Sequence, residues 1–319
     1  MPFSVAKKAV DLLMTSQGKQ KILMIYGGEP FAVYATLKAV VAYSTKSAEL
    51  HHKQLRICVA TNGLLIKPSY LNFLGKHNVV LEVSCVGLGK FHDRYRIFAN
   101  GRGTFAKLSA NLDMLFASYD PGNLVALLCV YPQEAKRMFS HFQYLVDRGF
   151  KTINVEVIYD VSWSSSDKEH LINGLKKITT FIECQIENGN LIFLSCLSRF
   201  LGKTRHHRCL FSDEILEVYP DGKITYCPLV LRRYDSELVV GHTDDGLTSP
   251  YVQCVYLKSP QDCYRCQMSY YKWLPSWPGR EVFELRNTFL KKAAESLQNL
   301  SKHNLHYDNY VRSAYPVFF

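Results

Sequence analysis

Five cysteines, Cys209, Cys227, Cys254, Cys263 and Cys266, fall within 58 residues of a 319-residue chain. Cys263 and Cys266 form a C-x2-C pair, a loop short enough for both thiolates to grip one metal. Cys209 and Cys227 frame Gly222 and add two further thiolates, the second arriving at the end of a hairpin-like segment. Four clustered thiolates suit zinc or an iron–sulfur cluster, and spacing alone favours zinc. Cys254 lies nearby and reads as structural. Cys58, Cys85, Cys129, Cys184 and Cys196 sit singly in apolar segments, where a thiol behaves as a small hydrophobe.

A second set of candidates lies in the first hundred residues. An apolar run, Ile22 to Tyr26, ends in Gly27-Gly28-Glu29-Pro30. Paired glycines let a ligand approach the backbone, and an acid beside backbone carbonyls suits a cationic ammonium group. A strand-to-loop turn with a surface Glu accounts for the tetrapeptide equally well. Thr61-Asn62-Gly63 follows the next apolar run. Ser84, Gly87 and His92-Asp93-Arg94-Tyr95-Arg96 follow the third. Taken alone, His92 and Asp93 read as an ordinary polar loop. Three such motifs in order, each just past a strand, read as one site.

The elements that must position them alternate. Ile22–Tyr26, Leu55–Val59, Val79–Cys85, Leu124–Val130 and Ile153–Ile158 are short apolar runs rich in branched residues, the pattern of buried parallel strands. Helix-like stretches separate them: Ala32 to Tyr43, Tyr70 to Lys76, Phe105 to Ala117 and Glu134 to Asp147. A leading helix, Val5 to Met14, has no strand before it. Strand–helix repetition predicts an α/β fold with a parallel sheet. Leu171 to Glu187 reads as a long helix, followed by an apolar segment from Leu191 to Leu197. After Arg208 short strands take over, including a hairpin turning at Asp221-Gly222. A last amphipathic helix spans about Arg280 to Leu297, and the tail from Ser301 shows no clear period.

Composition narrows the function classes. The chain is 47% hydrophobic and 21% charged, ordinary for a globular protein. No run of 18 apolar residues is present and the first residues carry no cleavage signal, so the sequence reads as cytoplasmic, without a membrane span. The net charge of +10 comes from scattered Lys and Arg rather than a dense run. That pattern favours a solvated basic surface over a nucleic-acid partner.

The ordered strand-end motifs resemble the radical S-adenosylmethionine (SAM) superfamily, in its peptide-modifying, sulfatase-maturase-like branch. The similarity covers roughly Met1 to Lys272. The resemblance implies a partial parallel (β/α)6-type barrel over residues 1–201, missing its first strand. It further implies an auxiliary-cluster region over 202–280, then a C-terminal helix and tail over 281–319. It implies that Gly27, Gly28 and Glu29 hold the amino group of SAM, with Asn62 and Ser84 completing the cofactor site. Cys85-Val86 stand where the family usually carries x-D. Asn123 to Pro132 and Gly149 to Glu156 resemble later βα units. Cys209, Cys227, Cys263 and Cys266 resemble the shortened extension called twitch, which implies one auxiliary [4Fe–4S] cluster. The longer version, SPASM, has further cysteines after the C-x2-C pair, and Tyr270 to Trp277 contain none. The implied partners are a peptide or protein substrate and an external electron donor. Sulfatase-maturing members carry an aspartate after the second auxiliary cysteine; here Pro228 follows Cys227, which argues against formylglycine formation.

The family's catalytic cluster needs C-x3-C-x2-C before the G-G-E-P strand, and none of the 26 residues before Gly27 is cysteine. Two expectations compete. A truncated radical SAM enzyme predicts an in-frame C-x3-C-x2-C upstream; a degenerate, non-catalytic metal-binding homologue predicts none. An unpaired apolar strand edge, which natural proteins avoid, favours truncation. As it stands the chain is expected not to cleave SAM reductively.

Overall fold

The computed structural model describes residues 1–159, 161–201, 216–225, 239–247 and 280–314. The chain divides into two compact units. One gathers Met1–Leu23, Val33–Ile57 and Arg205–Pro275, of which residues 216–225 and 239–247 are described. The other gathers Met24–Ala32, Cys58–Thr204 and Ser276–Phe319.

Six strands form one sheet in sequential order: β1 (Gln20–Ile25), β2 (Gln54–Thr61), β3 (Val80–Cys85), β4 (Leu124–Val130), β5 (Thr152–Val157) and β6 (Phe193–Leu194). The pairings from β2 to β6 are parallel. The expected α/β fold with a parallel sheet is therefore present, and all five expected strands lie within two residues of their expected limits. Helices intervene between the strands: α1 (Phe3–Thr15), α2 (Tyr34–Leu50, seven residues past its expected end), α3 (Pro68–Lys76), a single turn α4 (Lys90–Asp93) in place of the expected loop, α5 (Phe105–Ser118) and α6 (Met138–Asp147, four residues after its expected start). Then come α7 (Ser165–Glu187), α8 (Ser195–Leu201), α9 (Arg280–Ser301) and α10 (Leu305–Ala314). The expected hairpin pairs β7 (Glu217–Val218) with β8 (Lys223–Thr225) around Asp221-Gly222, and β9 (Val239–His242) and β10 (Gly246–Leu247) extend that small sheet.

Three departures have local causes. Helix α7 begins six residues before the expected Leu171, because Ser164 and Asp167 close a reciprocal capping box. The apolar segment 191–197 splits into a two-residue strand and the start of α8. The tail contains α10, whose packing is carried by Tyr307 and Tyr310, 3% and 0% exposed. Tyr310 stacks on Phe193 with ring centroids 5.2 Å apart, and Tyr307 donates to Glu187 at 3.2 Å. Two tyrosines over ten residues make too short a stripe to register as a period.

Register sorts the strand residues onto two faces, since successive side chains alternate. Val59, Leu81, Val83, Cys85, Leu124, Ala126, Leu128, Ile153 and Val155 share one face, and each is at most 2% exposed. The other face begins with a closed cluster of Cys58, Val80 and Val125. Above it the same face changes character, carrying Glu82, Ser84, Cys129, Asn154 and Glu156.

Candidate cofactor site at the strand ends

Gly27, two residues past β1, has φ of +118°, a conformation that an L side chain rarely adopts. A Cβ built on Gly27 or Gly28 meets nothing within 4 Å, so the backbone there borders open space. Glu29 follows half-buried, with its carboxylate turned to the next strand end. Its Oε1 accepts from the Phe31 N–H at 3.1 Å and the Thr61 hydroxyl at 2.8 Å; its Oε2 accepts from the Asn62 N–H at 2.8 Å. Two loops from different βα units are thus fastened by one carboxylate through charge-assisted hydrogen bonds.

The Thr61-Asn62-Gly63 turn is built to receive it. The Gly63 N–H donates to Thr61 Oγ1 at 3.0 Å, and the Leu64 N–H donates to Asn62 Oδ1 at 2.9 Å, an Asx turn. Gly63 has φ of +76°, and a Cβ there would lie 2.7 Å from Leu108 Cδ1, so glycine is required on both counts. Asn111 on α5 supports the turn from behind, donating to Gly63 O at 2.6 Å and Leu64 O at 3.2 Å. Ser84 is half-buried at the end of β3, on the face that carries Glu82.

The segment after β3 acts as a strap. Asp93 accepts from the Phe105 N–H at 2.7 Å and so caps α5. Buried His92 accepts from the Val86 N–H at its Nδ1, 3.3 Å away, which leaves the proton on Nε2, 3.1 Å from Thr104 Oγ1. Burial, then the nearby Arg96 charge, lowers His92 to about 4, so the ring stays neutral. Glu134, at the start of the segment after β4, accepts from Arg94 at 2.7 Å. His141 of α6 lies 3.6 Å from Glu134 and against Gly87, where any Cβ would meet the imidazole at 2.8 Å. Burial lowers His141 to about 4 as well, with Arg137 contributing. Burial raises the Glu134 carboxyl, and Arg94 and Arg137 pull it back.

Gly27, Gly28, Glu29, Asn62 and Ser84 therefore all fall at carboxyl ends of β1–β3, within one compact unit, and hydrogen bonds join Glu29 to Asn62. Cys209, Cys227, Cys254, Cys263 and Cys266 lie outside the described residues. Among the described residues no group of three or more metal-ligating side chains exists, and no helix is long and apolar enough to cross a membrane. The sequence reading passed over Asn111, and also Glu82 and Glu156. The last two carry a visible signal, a lone acid inside an apolar strand run.

Fold and strand-end geometry define an α/β protein whose polar and glycine-rich motifs line the carboxyl ends of sheet strands, where α/β folds commonly place their sites. No family model matches the chain. Among curated proteins it is 27% identical over 177 residues to a serine-type anaerobic sulfatase-maturating enzyme of Bacteroides thetaiotaomicron, covering 54% of this chain and 41% of that protein. It is 29% identical over 94 residues to a cysteine-type counterpart from Clostridium novyi (28% of this chain, 24% of that protein). It is 19% identical over 186 residues to the radical SAM cyclopropyl synthase TigE of Paramaledivibacter caminithermalis (58% and 38%). The chain thus spans less than half the length of each. Among solved structures, anSMEcpe with bound AdoMet superposes with a TM-score of 0.72 at 14% identity, covering 99% of this chain and 90% of that one. The same protein has been solved with AdoMet and the Cp18Cys peptide (TM-score 0.65, 16% identity, 93% and 92%). The chain is similar in sequence to radical SAM enzymes of the sulfatase-maturating kind, and it shares the fold of the solved ones.

Proposed function

We propose that the chain forms the SAM-binding and substrate-facing part of a cytoplasmic radical SAM enzyme that modifies a peptide or protein. The observation that carries this reading is the Glu29 clasp. It fixes the Gly27-Gly28 backbone beside open space and next to the Thr61–Gly63 turn. The residues fit the cofactor: two glycines leave room for the methionine moiety, Glu29 supplies negative charge near its ammonium, and Ser84 offers a hydroxyl at the end of β3, two strands along. When bound beside a reduced iron–sulfur cluster, SAM supplies hydrogen-abstraction chemistry. The C-x3-C-x2-C ligands for that cluster are not among these 319 residues.

Residues 1–201 would serve as the core, 202–280 as an auxiliary-cluster region and 281–319 as a C-terminal helical element. Cys209, Cys227, Cys263 and Cys266 would hold one [4Fe–4S] cluster, a reading supported by their resemblance to the twitch extension and by the radical SAM relatives. An external donor would supply electrons. Binding of S-adenosylhomocysteine by calorimetry tests the first part: Gly28→Val and Glu29→Gln should each weaken it about tenfold or more, and unchanged affinity in both overturns the site. Iron and sulfide analysis after anaerobic reconstitution tests the second. About four irons per chain, lost in the Cys263→Ala/Cys266→Ala variant, is expected; one zinc and no iron overturns the cluster.

A further inference from the structure

The face of the sheet that carries Ser84 holds a carboxyl group with no described role. Register places Ala60, Glu82, Val125 and Thr152 in one row, and Ser84, Leu127 and Asn154 in the next row toward the strand ends. Glu82 therefore lies one row below Ser84, about 7 Å along the same strand and on the same face. It is 8% exposed. Its hydrogen bond comes from Asn154 Nδ2 at 3.2 Å, and Asn154 Oδ1 is itself buried with no donor among the described residues.

The neighbouring charges are committed elsewhere. Glu156 accepts from the Tyr159 hydroxyl at 2.5 Å and from Arg286 at 3.1 Å. Arg286, 1% exposed, also donates to Val155 O at 2.6 Å, covering a stretch of β5 beyond the two residues that pair with β6. Arg96 acts on the Cys129 thiol. Among the described residues no cation pairs with Glu82. Burial raises its carboxyl, Asn154 opposes that, and the charge of Glu156 adds to it. The Glu82 carboxyl thus has one donor and no described cation, and beside it Asn154 Oδ1 has no described donor, a state in which buried acceptors are rarely left. Ala60, half-buried, is the neighbour of Glu82 in that row on β2.

We propose that Glu82 and Asn154 form a subsite for a primary ammonium group of the substrate, a lysine side chain entering across this face below Ser84. An ammonium brings three donors and one charge, which satisfies both acceptors and supplies the counter-charge that Glu82 lacks among the described residues. This rests on the reading of the chain as a peptide-modifying enzyme only for the identity of the ligand as a peptide.

The test compares binding of the pentapeptide Ac-Gly-Gly-Lys-Gly-Gly-amide with its norleucine counterpart, which keeps the stem and lacks the ammonium. The lysyl peptide should bind at least about tenfold more tightly. That preference should vanish in Glu82→Gln and shrink in Asn154→Leu, and persist in the surface variant Glu295→Gln. Equal binding of the two peptides, or a preference retained in Glu82→Gln, overturns the proposal. Thermal melts within a few degrees of the parent show that the isosteric Glu82→Gln chain still folds. S-adenosylhomocysteine, titrated in parallel, separates the sources of an ammonium. Its affinity should be unchanged by Glu82→Gln; a matching loss assigns the site to the cofactor and overturns the peptide assignment. Normal nucleoside binding without peptide discrimination defeats the subsite alone. Peptide discrimination without nucleoside binding defeats the cofactor reading alone.

Discussion

The two faces of the central sheet obey different rules. On one, aliphatic side chains from β2 to β5 are almost entirely removed from water, and nothing titrates but the thiol of Cys85, which burial pushes up to about 12. On the other, Cys58, Val80 and Val125 form a small apolar cluster, while Glu82, level with Val125, and the rows above it carry acids, an amide and a hydroxyl. The first face is optimised for burial and packing. The second gives up burial for polar groups that need partners, and buried polar groups without partners cost free energy. Aliphatic packing is concentrated on one side of the strands and polar side chains on the other.

Core truncation sharpens the contrast most. Leu128→Ala should cost about 3 kcal/mol in denaturant unfolding, in the range of buried Leu truncations. Leu127→Ala, half-buried on the opposite face, should cost clearly less; equal losses would break the distinction between the faces. Next comes Arg286→Leu, which strips Val155 O and Glu156 of their shared donor. A loss of about 2–3 kcal/mol is expected, below the range for a fully buried pair because the Glu156 side chain is 37% exposed. Glu29→Ala removes the acceptor of two backbone N–H groups and one hydroxyl. It should cost about 1–2 kcal/mol and disorder the turn at Thr61–Gly63, seen as faster amide exchange at Asn62.

A pH series probes the strap beside the sheet. His92 and His141 are held at about 4 in the folded chain against 6.5 unfolded, so the unfolded state binds protons first as pH falls. Their contribution is intact above about 6.5 and is lost between about 6.5 and 4. The raised Glu134 beside His141 works in the opposite sense, its contribution fading as pH rises. His141→Phe should therefore flatten the acid limb of the stability curve; an unchanged limb would show that His141 already carries a proton. The smallest effect is expected at Glu82. Glu82→Gln should leave stability within about 1 kcal/mol or raise it slightly, since a buried carboxyl without a cation contributes little to folding. A large loss would mean that Glu82 has a structural partner.

Much of this architecture was legible from residue order. Branched apolar runs mark β2 to β5, because strands buried on both faces need continuous hydrophobicity; the like run of β1 leaves Ile22 and Met24 exposed. Gly27-Gly28, Thr61-Asn62-Gly63 and Asp221-Gly222 mark turns, because only certain residues tolerate those backbone angles. The same continuity hid the difference between the faces: a run such as Val79 to Cys85 reads as uniformly apolar, and Glu82 reads as an exception within it. What an acid in such a run does depends on which strands flank it and in what register. Only the fold places Asn154, 72 residues away, against Glu82, brings Arg286 to the open part of β5, and turns Glu29 toward Thr61 and Asn62. Local sequence determined the elements and the strand ends, because both follow from short-range sterics and burial. Tertiary structure alone decided which polar groups are partnered and which still lack a partner, because hydrogen bonding depends on distances that close only when the chain folds.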